Sequence, residues 1–408
     1  MTTVRERIGH FARMITRVLP DAVLTRIFPA RYRWDPALMR VATAPSTPVR
    51  LYVAPVNSAG QGYAWARAAE RHLPGVGAVN LMTRDASTDR YRFDVDVAVP
   101  VMGFSFASQW QRRQRRELVH RFTHILLESG RFAYGSIPGS TPRATALRLE
   151  RSGLRIALLW HGSDIRVPSE HAAIEPDSPF GEQGGYPEQS VAILERNSRA
   201  HRRFVETTHF PVFVSTPGLL DVPRSRWLPV VVDPERWSND SPLLERERPV
   251  VAFVPSNSPM KGSAEVDQQL SSLAEEGLIE YRRLSGIPSA QMPGVYGDAD
   301  IVLDQFRLGD YGVTACEAMA AGRVVVGHVS DAVRAHVRDA TRLELPIVES
   351  RITDVAATVR RIIDDRDAWR GCGRAGVEYV RAQHDGRASA RALAPFLGVA
   401  PAADGAPR

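Results

Sequence analysis

Residues 299–327 read ADIVLDQFRLGDYGVTACEAMAAGRVVVG. An apolar run at 301–306 is followed by a turn of Gly, Asp, Tyr and Gly, then by a helical pattern at 312–321 and a second apolar run at 323–327. Short apolar runs that alternate with helical stretches are typical of parallel sheets, because each strand is buried on both faces and each crossover is a helix. This stretch therefore predicts an α/β fold.

Glu317 is the one acid in the predicted helix at 312–321, where its neighbours are Val, Ala, Cys and Met. A carboxylate in such surroundings needs hydrogen-bond donors, because an unpaired buried charge is costly. The hydroxyl groups of a bound sugar, such as a ribose, would supply them. An internal salt bridge to an arginine would supply them equally well, and the sequence leaves both interpretations open.

The same alternation continues on both sides of this stretch, in two blocks. Residues 233–249 interrupt it with a polar, proline-containing run, and we place the interdomain linker there. The predicted domains are residues 1–235, joined by a C-terminal helix at about 384–400, and residues 246–383. Within the first block the pattern predicts a helix at 106–122, a loop or lid at 167–187, and strands at 49–55, 94–99, 123–128, 154–160 and 212–215. Further along, it predicts a helix at 263–275 and a break in the C-terminal helical pattern at 384–386.

The chain has 408 residues, of which 44% are hydrophobic and 24% charged, and this is enough for two packed domains. Its two cysteines cannot form a disulfide framework, and its Cys and His residues lack the spacing of a zinc site. The sequence therefore predicts no metal and no cofactor. It shows neither an apolar run of about 18 residues nor a secretory pattern, so we expect a cytoplasmic protein.

The net charge of +6 favours an anionic partner. The basic residues are not accompanied by a nucleic-acid-binding motif, so we expect no nucleic acid among the partners. Basic amphipathic stretches at 4–18 and 110–122 suit the surface of an anionic membrane, which would make the protein membrane-peripheral. The alternative stays open that the first stretch packs on its domain and that the arginines form a solvated face.

Two turns in the first block are candidate ligand sites. Residues 57–63, NSAGQGY, follow the first predicted strand and open a helix, whose start can bind anions. Residues 160–166, WHGSDIR, end a buried strand, and ligands of open α/β sheets bind beyond such strand ends. Each has a structural alternative, an ordinary βα turn in the first case and a helix N-cap by Ser163 or Asp164 beside a packed His161 in the second.

Residues 256–262, SNSPMKG, place Lys261 at the start of a helix in the second block. A cation is unfavourable at this end of the helix dipole unless an anion shares the site. The position of Lys261 therefore predicts phosphate binding, with a surface lysine as the alternative.

Residues 309–322 resemble the C-terminal signature of glycosyltransferase family 4, whose members have the GT-B fold. That signature is Glu-Gly-Phe-Gly, four residues, then Glu-Ala-Met-Ala-x-Gly. The matching residues here are Tyr311, Gly312, Glu317, Ala318, Met319, Ala320 and Gly322. Segments 214–220 and 227–237 are also similar, so the resemblance covers nearly the whole chain. It implies two Rossmann-like domains that face each other across a cleft, with a C-terminal helix that returns to the first domain.

The resemblance also implies a function, the transfer of a sugar from a nucleotide-diphosphate sugar to a sugar, lipid-linked or small-molecule acceptor. Retention of configuration and independence of metal are part of that expectation. Glu317 would hold ribose hydroxyls, Lys261 with Gly262 would bind phosphate, and His161 would lie beside the transferred sugar. His161, Lys261 and Glu317 are therefore the predicted catalytic residues. The other predicted donor-binding residues are Gly60, Gly62, Asn257, Asp310, Tyr311, Gly312 and Val313, and the predicted acceptor-side residues are Asn57, Gln61, Asp164 and Arg166.

Two positions depart from the family pattern. The first Glu of the signature, which contacts the donor sugar, falls on Gly309, and the Arg that accompanies the phosphate-binding lysine falls on Ser256. Either Asp310 or another residue substitutes, the donor is unusual, or the protein is inactive. The alternative function is accordingly a catalytically inactive subunit that binds a nucleotide sugar and supports a partner transferase.

Overall fold

The computed structural model describes residues 20–85, 89–137, 139–255 and 258–401. The predicted amphipathic stretch at 4–18 and the predicted donor-binding residue Asn257, together with Ser256, lie outside these residues.

The described chain forms two parallel sheets, in agreement with the predicted α/β class. The first has the strand order β3-β2-β1-β4-β5-β6-β7 and the second β12-β11-β10-β8-β9. The strands of the first sheet are β1 Val49–Ala54, β2 Val76–Thr83, β3 Val97–Val99, β4 His124–Glu128, β5 Arg155–Trp160, β6 Val212–Val214 and β7 Ser225–Trp227. Those of the second sheet are β8 Val250–Phe253, β9 Glu280–Arg283, β10 Ile301–Leu303, β11 Val324–Gly327 and β12 Ile347–Glu349.

Helices connect the strands, as parallel pairing requires. In the first half, by which we mean the described residues up to 232, they are α1 Asp21–Ile27, α2 Gln61–His72, α3 Val101–Phe106, α4 Ser108–Arg121, α5 Pro142–Arg151, α6 Pro168–Ile174 and α7 Glu188–Glu206. In the second half, residues 233–383, they are α8 Pro234–Trp237, α9 Ser258–Lys261, α10 Ser263–Glu275, α11 Met292–Gly297, α12 Val313–Ala320, α13 Asp331–Thr341, α14 Val355–Asp364 and α15 Arg366–Gln383. The last helix is α16 Arg387–Leu397.

Each sheet is buried on both faces, and β1 shows how its sequence achieves this. Tyr52 and Ala54 pack into one apolar cluster of the first half, whereas Leu51 and Val53, which point the other way, pack into a second. All four side chains are fully buried. A strand of this kind needs apolar residues at every position, and this is why the strands appear in the sequence as unbroken apolar runs.

The C-terminal helix α16 returns to the first half. It begins after Gly386, whose φ of +102° turns the chain, and its Leu393 and Phe396 pack with α2 residues such as Trp65. The ring of Phe396 also meets that of His124 edge-on, with centroids 5.1 Å apart. Two Rossmann-like halves and a returning helix therefore agree with the predicted architecture.

Two predicted segments differ from the structure. The helix predicted at 106–122 is α4 and begins two residues later, at Ser108, because the ψ of 87° at Ala107 is not helical and separates α4 from the short helix α3. The predicted loop at 167–187 contains α6, which begins with Pro168 at a position where its missing N–H costs nothing.

Candidate functional site

A cleft of ≈ 840 Å³ lies between the two halves and is called here the main cleft. Its first-half wall is built at the carboxyl ends of β1, β4 and β5, and its second-half wall at the end of β10 and the start of α12. Open α/β sheets bind ligands at such strand ends. Its lining includes Pro55, Ser129, His161, Arg166, Asp310 and Gly312.

Glu128 organises the first-half wall, although the sequence analysis did not single it out. It ends β4, is fully buried, and accepts hydrogen bonds from the backbone N–H groups of Val56 at 2.8 Å and Asn57 at 3.0 Å. The Oε1 atom also lies 3.3 Å from Nε2 of His161, an ion-pair distance with poor hydrogen-bond alignment. In the sequence, the only feature that marks Glu128 is its charge at the end of the apolar run ILLE, residues 125–128. Glu128 thus ties the turn after β1 to His161.

His161 follows β5 and contacts the main cleft, as predicted. Its ring stacks on that of Trp65, with centroids 5.8 Å apart and planes 17° apart. Burial on its own lowers the pKa of His161, but the carboxylates of Glu128 and Asp164 outweigh it, so the pKa is raised. The site therefore favours an imidazolium, which suits contact with an anionic or polar ligand.

Asp164 lines the main cleft, and its carboxylate accepts three hydrogen bonds from neighbouring groups of the first half. The donors are the N–H groups of His161 at 3.0 Å and Gly162 at 2.8 Å, and the hydroxyl of Ser129 at 2.7 Å. These contacts fix the loop after β5. Asp164 therefore holds His161 in place from the backbone side.

Arg166 and Asp310, which come from opposite halves, form a buried ion pair of 3.1 Å. Asp310 also accepts the N–H of Tyr311 at 3.0 Å. Burial raises the pKa of Asp310, and Arg166 opposes that rise. The predicted acceptor-side arginine and the predicted donor-binding aspartate are thus brought together, but they bind each other.

The polar side chains of the predicted turn at 57–63 bind backbone. Asn57, which has a φ of 52°, donates to the carbonyl of Asp94 at 2.9 Å and accepts the N–H of Tyr63 at 2.9 Å. Gln61 pairs with the backbone of Val231 through both its amide atoms, at 2.6 and 3.1 Å. These bonds hold the start of α2 and attach it to the chain that crosses to the second half.

Both glycines of this turn have local steric reasons. Gly60 precedes α2 with a φ of +77°, which strongly favours glycine. At Gly62 a Cβ atom would lie 2.7 Å from the amide nitrogen of Asn80 and 3.1 Å from the carboxylate of Glu128. Close packing within the first half therefore accounts for Gly62.

Lys261 is buried next to Met260, which lines the second-half wall of the main cleft, and does not itself line that cleft. Its Nζ atom donates to the hydroxyl of Thr314 at 3.1 Å and lies 3.5 Å from the carboxylate of Asp304. Gly262 has a φ of +66°, and a Cβ there would lie 2.2 Å from the side chain of Ile352. The αL turn between α9 and α10 therefore places Lys261 beside the start of α12.

The start of α12 offers N–H donors that have no partner among the residues that the structure describes. Its first intrahelical hydrogen bond runs from the N–H of Cys316 to the carbonyl of Gly312, at 3.2 Å. The N–H groups of residues 313–315, among them Val313, precede that bond and point out of the helix end. Tyr311, by contrast, is buried, with its hydroxyl 3.0 Å from that of Tyr379. The helix end and the ammonium of Lys261 therefore lie together, beside the carboxylate of Asp304, and both can attract an anion.

Glu317 lies one turn further along α12 and faces a pocket of ≈ 360 Å³, called here the Glu317 pocket. The described residues provide no hydrogen-bond donor to its carboxylate. Burial raises the pKa of Glu317 to about 8, against the opposing effects of Arg236 and Lys261. The salt bridge that the sequence left open is thus not formed, and the carboxylate remains an available acceptor. The pocket is also lined by Gly60, Tyr63, Arg67, Arg236, Trp237 and Ser289.

Gly309 has a steric reason for departing from the family pattern. Its φ is +59°, and a Cβ there would lie 2.6 Å from Oε2 of Glu175. Glu175 comes from the first half, just after α6, and contacts Nε2 of His328 at 3.0 Å and Arg351 at 3.2 Å in the second half. Asp177 adds a contact to Arg351 at 2.7 Å. The carboxylate of Glu175 therefore occupies the space that a side chain at 309 would need.

Solved structures of similar fold are glycosyltransferases. One is HepE of Anabaena in complex with UDP and glucose, which has a TM-score of 0.56 and 11% identity over 85% of this chain and 98% of its own. Sucrose-phosphate synthase of Thermosynechococcus elongatus has a TM-score of 0.52 and 13% identity over 85% and 97%. WaaG, a glycosyltransferase involved in lipopolysaccharide biosynthesis, has a TM-score of 0.51 and 12% identity over 85% and 99%. No protein-family model and no curated protein matches the sequence.

These likenesses establish the fold. The chain has the GT-B architecture, as the sequence predicted, and the similarity extends over most of each molecule.

Proposed function

We propose that this protein is a glycosyltransferase that moves a sugar from a nucleotide-diphosphate sugar to an acceptor bound at the first-half wall of the main cleft. One observation supports it above all: the buried ammonium of Lys261 contacts the first turn of α12, and the same helix carries N–H groups and the Glu317 carboxylate that have no partner among the described residues. The membership in glycosyltransferase family 4 that the sequence suggests is part of the proposal.

The spacing along α12 suits a nucleoside diphosphate. Thr314, which contacts Lys261, and Glu317 are three residues apart and lie on the same face of the helix. They are therefore about one helical turn, or about 5 Å, apart along the axis. Diphosphate and ribose hydroxyls are separated on a comparable scale. In this proposal the diphosphate binds at Lys261 and residues 313–315, and the ribose donates hydrogen bonds to Glu317.

The chemistry would rest on stabilising the leaving group. Negative charge that develops on the departing diphosphate meets the ammonium of Lys261 and N–H groups that are already oriented. The leaving phosphate can itself take the acceptor proton, and retention of configuration follows if the acceptor attacks from that same face. His161, held by Glu128 and Asp164, would orient the transferred sugar. None of these steps calls on a metal ion.

The first test is a donor screen that measures released nucleoside diphosphate. Uridine diphosphate sugars come first, because HepE is bound to UDP and an α-glucosyltransferase of similar fold is bound to UDP and DNA. We expect turnover with at least one donor, and loss of that turnover in Lys261→Ala. Binding of nucleoside diphosphates without turnover for any donor and acceptor would favour the inactive subunit instead.

A second part of the proposal is peripheral contact with anionic membrane. Arg112, Arg113, Arg115 and Arg116 are all exposed on α4. Asp21 of α1 accepts N–H groups at the start of α4, and the exposed Val23 lies on that same α1. Across the described residues, none of the helices has the length and hydrophobicity needed to span a bilayer.

Sedimentation with phosphatidylglycerol vesicles at low salt tests this contact. We expect binding that salt weakens and that is lost when the four arginines become Gln, since each basic residue near an anionic surface contributes about 1 kcal/mol. Equal binding to neutral phosphatidylcholine vesicles, or none to either, would contradict it.

A further inference from the structure

Asp304 connects the two parts of the anion site, although neither the sequence signature nor the predicted site includes it. It follows β10 directly and is 3% exposed. Its Oδ1 atom lies 3.5 Å from Nζ of Lys261, and its Oδ2 atom accepts the N–H of Gly312 at 3.2 Å. One carboxylate therefore holds both the lysine and the turn that opens α12.

Asp304 is also the one carboxylate within ion-pair distance of Lys261 in the described part of the chain. The other contact of the ammonium is the neutral hydroxyl of Thr314. The charge of Lys261 is thus balanced by Asp304. An anion that approaches Lys261 must share the cation with a fixed negative charge.

From this arrangement we infer that Asp304 is a positioning residue that limits how tightly the site at Lys261 and α12 holds a diphosphate. The inference rests on the proposed function. Asp304 keeps the ammonium at the helix end, where a diphosphate can reach both, and at the same time repels the bound anion. A diphosphate product is then released more readily than from a lysine without a counter-charge.

The direction in which one substitution changes the affinity for diphosphate distinguishes this role from a purely structural one. Asp304→Asn keeps the shape and an oxygen acceptor but removes the negative charge. If Asp304 only supports the fold, the loss of its contacts leaves anion binding unchanged or weaker. If it limits affinity, the neutral variant binds a diphosphate more tightly, by about tenfold, because like charges a few ångströms apart interact strongly even at an effective dielectric of about 20.

Inorganic pyrophosphate is the appropriate probe, because it needs no assumption about the nucleobase or the sugar. Calorimetry would compare the unaltered protein, Asp304→Asn and Lys261→Met. Asp339→Asn is the matched control, because it makes the same charge change at an exposed position of α13. Circular dichroism and the melting temperature check the fold of each variant, and Asp304→Ser replaces the Asn variant if the latter does not fold.

We expect pyrophosphate to bind Asp304→Asn about tenfold more tightly than the unaltered protein, Lys261→Met more weakly, and Asp339→Asn equally. Unchanged or weaker binding to a folded Asp304 variant overturns the inference and leaves the proposed function intact. Tighter binding together with a donor screen that finds no turnover would support the role of Asp304 in an anion site while contradicting glycosyl transfer. Pyrophosphate binding that does not depend on Lys261 would contradict both.

Discussion

The two halves of the molecule each present a polar turn after a buried strand, and the two turns differ in what their polar atoms already bind. In the first half, the side chains of Asn57 and Gln61 form hydrogen bonds with backbone groups of the protein. In the second half, the N–H groups at the start of α12 and the carboxylate of Glu317 have no such partners among the described residues. Residue types at a strand end are thus a weak guide to ligand binding, because buried polar groups serve the scaffold as readily as they serve a ligand.

The largest effect that this comparison predicts is that of Glu317→Gln. We expect the affinity for a nucleoside diphosphate to fall about ten- to a hundredfold, since a hydrogen bond to a charged group contributes about 1.5–3 kcal/mol. The loss should grow as the pH rises through about 8, because burial raises the pKa of Glu317 to about 8 and the ionised carboxylate is the stronger acceptor. Calorimetry between pH 6 and 9 measures it.

Glu378→Gln, at an exposed position of α15, is the matched control and should leave the affinity unchanged. If Glu317→Gln binds the nucleoside diphosphate as tightly as the unaltered protein at every pH, then Glu317 does not bind the ligand, and the proposed difference between the two turns is not supported. Unfolding of the variant would instead indicate a structural role for the carboxylate.

Gln61→Ala tests the other side of the comparison. Because Gln61 pairs with both backbone groups of Val231, its loss should lower the free energy of unfolding by about 1–3 kcal/mol. Nucleotide affinity should stay within about twofold, which is close to the error of such measurements. Urea denaturation and calorimetry on the same preparation give both values. If Gln61→Ala has normal stability but weaker nucleotide binding, the side chain of Gln61 serves the ligand, as the sequence predicts.

A third test concerns the contact between the halves at His328. Burial lowers the pKa of His328, but Glu175 and Glu349 raise it to about 9. The Nη1 atom of Arg351 lies 2.8 Å from Nε2 of His328, and its positive charge opposes that rise. The folded protein therefore holds a proton that the unfolded chain, with a histidine pKa of about 6.5, releases. Stability from this cluster is fully present below pH 6.5 and is lost as the pH rises through 9.

We expect the melting temperature to fall between pH 7 and 9.5, and to fall less in His328→Gln. Scanning calorimetry across that range measures the slope of each. Parallel curves for the two proteins would show that Glu175 does not join the halves through a charged histidine.

The smallest effect expected is that of EDTA, which should leave turnover unchanged. The proposed positive charge at the diphosphate comes from Lys261 and from α12. Among the closely spaced aspartates, Asp94 and Asp96 are already bound to arginines, at 3.3 Å from Arg236 and 3.1 Å from Arg67. Asp298 and Asp300 are likewise bound to Arg246, at 2.5 and 3.5 Å. Loss of turnover that magnesium or manganese restores would contradict this.

Regular elements with a clear hydrophobic period could be predicted from the sequence. Helix α10 begins and ends where its pattern indicates, at Ser263 and Glu275, and the last two helices separate at 384–386 as expected. Helix α3, Val101–Phe106, was missed because six residues are too few for a helical hydrophobic period to show. Strand β2, Val76–Thr83, was missed because its glycine and asparagine interrupt the apolar run.

The candidate site was predictable where a contiguous motif carried it, as at Glu317 and Lys261. Glu128 and Asp304 were not predictable in this way, because each is a single acid at the end of an apolar strand. Their roles depend on partners that are distant in the sequence. These partners are Val56 and His161 for Glu128, and Lys261 for Asp304. Only the fold brings those partners together.

The contact between Gly309 and Glu175 constrains how this protein can change in evolution. A glutamate at 309 would require the carboxylate of Glu175 to move, because the new Cβ would lie 2.6 Å from Oε2, and the backbone would have to keep a φ of +59°. Replacing Glu175 would remove a partner of His328 and Arg351. We therefore expect either change alone to lower stability, so that a lineage that holds this pair is separated from the common family pattern by a less stable intermediate.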